Sequence, residues 1–515
     1  MTERPNFLFF ITDQHRADWL GCAGHPVVKT PNIDAIAAEG AMFEDFHVAS
    51  PVCMPNRAAL MTGRMPSVNS VRFNGAPLPK TENTFVDVLA ASGYDTALIG
   101  KSHLQPFTPD PSMRLRPATG PIEEAWRPDE ADYFQEHPSR YQGDQRGFED
   151  PYYGFQHVDM VTGHGDKCGG HYRQWFRQQR ADWKDLHDPA NEIPHNYTCP
   201  QAYRTPVPED LYPTTFIAER AIDWIGARGD DPFFAFVSFP DPHHPFNPPG
   251  KYWDMYSPDD FDIPLPYDAH QNPTPTMQAM TEGFERGEGP LTPQTAFRAS
   301  DQQVREAMAL TAGMITMIDD QVGRVIAALK AAGKYENTVI VFTSDHGDYL
   351  GDFNMLLKGT IQRPAVTRVP MIWSDPRGRT ASRTAAMAQT IDLPASILDR
   401  AGIRPYIGMQ GRSFLGAMSG GEHRDEVFIE YNDGMPRLGF TEAARVRTLR
   451  DRNWRLTIYR DEPWGELYDL ANDPDETRNL WDAPEAAEAK ADMTLRLVHA
   501  LAHQMDDSPM PERLA

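Results

Sequence analysis

Asn6-Phe7-Leu8-Phe9-Phe10-Ile11-Thr12, closed by Asp13, is the stretch that decides the fold. A strand with one wet face alternates apolar and polar residues. An unbroken apolar run belongs to a strand covered on both faces. Three more runs share this character. Tyr94 to Ile99 precedes Gly100-Lys101, Phe233 to Phe239 precedes Pro240-Asp241-Pro242-His243, and Thr338 to Ser344 precedes Asp345-His346-Gly347. Helical patterns lie between them at Pro31 to Glu39, Thr84 to Ser92, Thr215 to Ile225 and Val304 to Ala332. This order predicts an α/β fold, with a large mixed, mostly parallel sheet flanked by helices. Ligands of such sheets sit at the carboxyl ends of the strands. Each of the four runs is followed there by Asp, Lys, His or Asp-His.

Outside this frame the pattern changes twice. Residues from about 105 to 210 are rich in Pro, Asp, Tyr, Trp and His with little periodicity, as in a functional loop or lid. Near the C-terminus, Val427 to Tyr431, Val446 to Leu449 and Trp454 to Ile458 read as antiparallel strands, followed by a helix from Glu485 to His503. The expected organisation is therefore a large unit over 1–415, with a loop insertion at about 105–210, and a smaller α+β domain over 416–515.

Composition narrows the function. The 515 residues carry 49 Lys and Arg against 73 Asp and Glu, a net charge of −24, so no broad basic field exists for nucleic acid. The apolar run at Phe7 is too short to span a membrane and has no cleavage site after it. Four widely spaced cysteines, Cys22, Cys53, Cys168 and Cys199, fit neither a disulfide scaffold nor a zinc ribbon. A cytoplasmic protein is expected, and a small anionic substrate stays compatible with the net charge provided that its site gathers local cations.

The chemistry concentrates in Cys53-Met54-Pro55-Asn56-Arg57-Ala58-Ala59-Leu60-Met61-Thr62-Gly63-Arg64. Pro55 suits a first helical turn and Gly63 a helix stop. Cys53 would then sit at a helix N-terminus with Arg57 on the same face, the setting of a reactive thiol. For an isolated cysteine, a buried structural role is the alternative. A second stretch, His164-Gly165-Asp166-Lys167-Cys168-Gly169-Gly170-His171, imitates a metal loop, but its spacing matches no defined site. It reads as a flexible turn, with lining of a substrate pocket as its other use.

Cys-x-Pro-x-Arg followed by Leu-x-Thr-Gly resembles the sulfatase signature of the alkaline phosphatase superfamily, with Asn56 where Ser or Ala is more usual. Four further elements extend the resemblance. Lys101-Ser102-His103-Leu104 is similar to the family's Lys-x-His-Leu element, and Pro242-His243-His244-Pro245-Phe246 to its Pro-His-x-Pro-Phe element. Thr343-Ser344-Asp345-His346-Gly347 resembles the second metal segment, followed by Lys358. Glu466-Leu467-Tyr468-Asp469-Leu470 with Asn472-Asp473-Pro474 resembles the C-terminal signature. Asp13-Gln14 together with Asp345-His346 resembles choline sulfatases and phosphonate monoester hydrolases. Lys101 and His103 turn the reading toward sulfate esters.

The resemblance implies an alkaline phosphatase-like fold and a set of roles. Cys53 would be oxidised to formylglycine by a maturation enzyme. Asp13, Gln14, residue 53, Asp345 and His346 would hold one divalent cation, calcium first, with manganese or magnesium as alternatives. Arg57, Lys101 and Lys358 would supply fixed positive charge. His103 would act as base, and His243, with Lys358, as acid toward the leaving oxygen. Asn74, 21 residues after Cys53, would contact substrate, although an Asn before Gly75 also suits a plain turn. The implied reaction is hydrolysis of a small anionic sulfate ester. The alternatives are phosphonate monoester or phosphodiester hydrolysis on the same site, and an inactive oxyanion-binding protein with unmodified Cys53. A homo-oligomer formed through the C-terminal helix is also compatible.

Overall fold

A computed structural model of the protein describes residues 4–108, 132–143, 148 and 151–510. An eight-stranded sheet carries the fold. In chain order its strands are β1 (Asn6–Thr12), β2 (Ala41–Phe43), β3 (Asp95–Lys101), β4 (His157–Val161), β5 (Phe233–Ser238), β6 (Thr338–Ser344), β7 (Met371–Ser374) and β8 (Ser382–Thr384). Across the sheet the order is β8-β2-β7-β6-β1-β5-β3-β4. Strand β7 is antiparallel to both its neighbours, and every other pairing is parallel.

The unbroken apolar runs divide between two cores, as the period of two requires. Phe7, Phe9 and Ile11 join Phe234, Phe236, Val339 and Val341 on one face. Leu8 and Phe10 join Ala235, Val237, Ile340 and Phe342 on the other. The first face is covered by α2 and α3, the second by α1, α4 and α5. Their bounds are α1 (Pro31–Ala38), α2 (Cys53–Thr62), α3 (Phe85–Ala91), α4 (Pro213–Gly226) and α5 (Asp301–Ala331). Each fully buried Phe contributes about 1.5–3 kcal/mol. A polar substitution at Phe9 would remove that and bury an unpaired group as well.

A second sheet follows, with β9 (Glu426–Asn432), β10 (Arg445–Asp451), β11 (Trp454–Tyr459) and β12 (Gly465–Asp469) antiparallel in that order. Helix α6 (Ala487–Ala502) lays Met493 and Leu497 against Leu449, Leu456 and Leu467.

The four sequence-predicted core strands and the helices between them are present. Strand β3 runs two residues further than expected, through Lys101. Strands β2, β4, β7, β8 and β12 were not foreseen. β2 and β8 are three residues long, too short for a periodic signal. β4 falls inside the stretch expected to be irregular. It is an edge strand, and its first three residues, His157, Val158 and Asp159, are only partly buried, so it lacks a continuous apolar run. Among the described residues no helix is long and apolar enough to cross a membrane. All four cysteines are free.

Candidate active site

Strand register assembles the site. Thr12 pairs with Ser344, Ile11 with Ser238, and Gly100 with Ser238. The residues just beyond these pairs therefore emerge side by side. The Asp345 amide donates to the Thr12 carbonyl at 3.1 Å, and the Asp13 amide to the Asp241 carbonyl at 3.1 Å. Helix α2 brings Cys53 to the same place. It begins at Cys53 and is stopped by Gly63, whose φ of 63° is the left-handed cap that glycine adopts freely. Asn56 fixes the helix start, with Oδ1 accepting from the Ala49 amide (2.9 Å) and Nδ2 donating to the Asp345 carbonyl (2.5 Å).

One half of the site consists of ligating atoms. Asp13, Cys53, Asp345 and His346 each present one such atom, all within 4.8 Å of one another, and all four residues are buried. His346 Nδ1 donates to the Gly347 carbonyl (2.9 Å), which leaves the Nε2 lone pair facing inward. Nε2 lies 3.1 Å from Cys53 Sγ, 3.4 Å from Asp13 Oδ1 and 3.7 Å from Asp345 Oδ1. Two carboxylates, an imidazole lone pair and one further side chain form a donor set that fits a divalent cation. Arg57 lies behind the carboxylates. Its Nε donates to Asp345 (2.7 Å), and Nη1 to the Lys101 carbonyl and Ser238 Oγ (2.9 Å each). Nη2 lies 4.0 Å from Asp13 and has no hydrogen bond.

The other half is cationic. Lys101 Nζ donates to Asp13 and, at 2.7 Å, to His164 Nε2. Lys358 Nζ donates to Gln14 Oε1 (2.5 Å) and His243 Nε2 (2.9 Å). His243 Nδ1 donates to the His244 carbonyl at 2.5 Å. His103 is also buried here, with Nδ1 unpartnered and the ring 4.2 Å from that of Phe107. Gln14 and His103 both occupy the left-handed region, at φ 65° and 59°. Such strain costs about 1–3 kcal/mol per residue and gathers at functional sites.

Burial dominates the titration of these groups. It would raise the Asp13 carboxyl, but the Lys101 ammonium holds it well below the usual range. Burial lowers His346 to about 4, and it lowers His103 and His243 well below the ordinary imidazole value. All three rings are therefore neutral at pH 7. Cys53 corrects an expectation. The helix N-terminus and Arg57 suggested a reactive thiolate, whereas burial, followed by the negative charge of Asp13, pushes the thiol up to about 12. Lys358 and Lys101 lower it by less, and Arg57 is engaged with the carboxylates.

The predicted residues otherwise converge, with two placements that refine the reading. The Gln14 side chain turns toward Lys358, Asp348 and His244. Asn74 is exposed at the start of α2, its Oδ1 accepting from the Met54 amide at 3.1 Å. Sequence reasoning missed His164, which stands in the turn set aside above. Its ring stacks on His243 with centroids 3.6 Å apart, and Nε2 lies 3.7 Å from Asp13 Oδ2. Recognition of β4 would have found it, because Val161 pairs with Lys101 and His164 follows three residues later. Asp13, His164 and His243 also bring ligating atoms within 4.8 Å. The Lys101 and Lys358 ammoniums already occupy the imidazole lone pairs there, so this second set does not suit a cation.

Comparison with known proteins agrees with this geometry. The sulfatase family pattern matches residues 5–403, and the pattern for the N-sulphoglucosamine sulphohydrolase C-terminal region matches residues 352–503. An arylsulfatase of Clostridium perfringens is 28% identical over 491 residues, covering 94% of this chain and 92% of its own length. A multifunctional alkaline phosphatase superfamily protein of Trinickia caryophylli is 28% identical over 532 residues, covering 96% of each chain. The phosphonate monoester hydrolase of Agrobacterium radiobacter superposes with a TM-score of 0.78 at 25% identity, covering 99% of this chain and 98% of its own. With the helix that begins at Cys53, the paired strand-end carboxylates and a family match over most of its length, this chain belongs to the sulfatase family, the hydrolases of sulfuric esters.

Proposed function

We propose that the protein hydrolyses sulfate monoesters to an alcohol and inorganic sulfate, with residue 53, matured from Cys53 to formylglycine by a dedicated enzyme, as the nucleophile. The observation that carries this reading is Lys101. It is fully buried, bonded to Asp13, and two residues before His103, in the pattern that sets sulfatases apart. When bound, a divalent cation held by Asp13, Asp345, His346 and residue 53, with Gln14 alongside, neutralises charge on the nucleophile and the ester. Calcium is our first choice, with manganese or magnesium next. The hydrated aldehyde supplies one hydroxyl for attack on sulfur and a second for release of sulfate.

The remaining steps belong to this chain's own groups. Arg57 fixes the two carboxylates. Lys101 and Lys358 face the non-bridging oxygens and stabilise charge that grows in the transition state. His243 receives a hydrogen bond from Lys358, so this pair holds the proton that the leaving oxygen takes. Neutral His103 takes the proton of the second hydroxyl. Asn74, beside the start of α2, is proposed to contact substrate. The catalytic unit is proposed to span 1–415 and the smaller domain 416–515.

A second reading has a specific support. Asp13-Gln14 and Asp345-His346 fit phosphonate monoester hydrolases, one of which shares the fold closely. The full set of nucleophile, acid and base positions speaks against an inactive binding protein. A side-by-side profile of kcat/KM for sulfate monoesters, phosphonate monoesters and phosphodiesters tests the proposal. The highest value is expected for aryl or alkyl sulfates. A clear preference for the phosphonate would promote the second reading.

A further inference from the structure

Lysine ammonium can only donate hydrogen bonds. At 2.7 Å from Lys101 Nζ, His164 Nε2 must therefore be the acceptor, which places the ring proton on Nδ1. Among the described residues nothing accepts from Nδ1. The side chain is 12% exposed, whereas those of Lys101 and Asp13 are 0% exposed and His243 is wholly buried. His164 is thus the most exposed member of this group.

Its mounting is rigid. Gly165 has φ +58°, and a Cβ there would come within 2.8 Å of the Asn247 side chain and 2.9 Å of Pro245. The next residue, Asp166, accepts from Asn247 Nδ2 (2.9 Å) and Thr205 Oγ1 (2.7 Å), and its carbonyl lies 2.9 Å from His187 Nε2. The imidazole is held parallel to His243, with 11° between the ring planes. Half-buried Phe107 stands edge-on to it, with centroids 5.8 Å apart, and forms an apolar wall beside the donor.

We propose that His164 is a substrate-contacting specificity residue, whose Nδ1–H donates to an acceptor oxygen on the leaving alcohol next to the ester bond. This rests on the reading above that His243 faces the leaving oxygen. His164 is stacked one ring thickness from His243 and is the more exposed of the two, so its N–H is placed to meet the alcohol just beyond that oxygen. Phe107 packs against the alcohol's carbon skeleton. The substrate class is therefore a sulfate ester of an alcohol or phenol that carries a neighbouring ether or hydroxyl oxygen.

A matched pair tests it, 2-methoxyphenyl sulfate against 2-ethylphenyl sulfate, similar in shape and differing in the acceptor. The wild type is expected to favour the methoxy ester by roughly threefold to tenfold in kcat/KM, the range of one neutral hydrogen bond. His164→Ala removes that preference, and His164→Asn, which keeps a donor near Nδ1, restores part of it. A merely structural role would lower both esters equally and leave the ratio untouched, which overturns the proposal, as does a His164→Ala enzyme with the wild-type ratio. The second arm needs no turnover. Calorimetric binding of (2-methoxyphenyl)methanesulfonate and its 2-ethyl counterpart, with carbon in place of the bridging oxygen, should show the same His164-dependent ratio. Should that ratio appear while only phosphonates are hydrolysed, the reaction assigned above falls and His164 keeps its role. Should sulfates be hydrolysed with a ratio independent of His164, the assigned reaction stands and this inference falls.

Discussion

Two clusters of charged side chains are buried in this protein, and they are built differently. In the C-terminal sheet, Arg455 donates Nε and Nη2 to Glu476 (2.7 Å each) and Nη1 to Glu466 (2.7 Å) and Thr457 (2.9 Å). Tyr459 completes Glu466 at 2.7 Å. Every polar side-chain atom of Arg455, Glu466 and Glu476 has a partner, and the three residues are no more than 1% exposed. At the strand ends burial is just as deep, yet satisfaction is incomplete. Arg57 Nη2 and His103 Nδ1 have no partner, two carboxylates converge on an imidazole lone pair, and a thiol lies among them. A closed cluster needs nothing further. A cluster left open has room for something the chain does not contain, in the reading proposed above a cation and an anionic ester. Arg363 links the two, reaching Glu476 at 3.4 Å and Asp352 at 3.3 Å on the segment that leads to Lys358.

Substitutions should separate the clusters by what they damage. The largest expected effect is at the open one. Asp345→Ala should remove bound metal and turnover together, by about five orders of magnitude or more, comparable to the loss of a nucleophile or its activator. Elemental analysis paired with kcat checks this, and full activity after chelation and metal-free dialysis would contradict it. Next, Lys101→Ala should lower kcat/KM for sulfate esters by roughly two to three orders of magnitude, the scale for loss of one preorganised charge-stabilising donor. Its unfolding free energy should change less than that of the closed-cluster variant below.

At the closed cluster the pattern inverts. Arg455→Met strands Glu466 and Glu476 without a countercharge and should cost about 3–5 kcal/mol of stability. Per folded molecule, kcat should stay within a few-fold of wild type. Denaturant unfolding with activity measured well below the midpoint checks both halves. A catalytic loss on the scale of the Lys101 variant would mean that the two clusters are not separable.

The smallest effect is in pH dependence. Burial would raise the Glu476 carboxyl, but Arg455 and then Arg363 hold it below its ordinary value. A carboxylate lowered in the folded state contributes stability that is present above its unfolded pKa and lost as pH falls through the folded one. Wild-type stability should therefore fall more steeply below about pH 4.5, the ordinary Glu range, than that of Glu476→Gln. Parallel curves for the two proteins would show that the lowered carboxyl contributes nothing.

The open cluster was largely legible in the sequence because its members follow strands that announce themselves. Asp13, Lys101, His243 and Asp345 each come after an apolar run, and register does the rest. His164 escaped because β4, the strand it follows, begins with partly exposed residues at the sheet edge and has no continuous apolar run. The thiol was misjudged for a different reason. Helix position and Arg57 can be read from spacing, but complete burial beside Asp13 is a tertiary fact, and it outweighs both. The closed cluster was invisible at this stage. Glu466 stood only within a resembling motif, and nothing local pairs it with Arg455 or either with Glu476.

In the proposed reading a modified residue 53 completes the open cluster and performs the chemistry. Mass spectrometry of the peptide containing Cys53, prepared from native enzyme with full sulfatase activity, tests it most directly. The expected spectrum shows sulfur lost and an aldehyde in its place. A spectrum showing only the intact thiol in fully active enzyme would contradict the account.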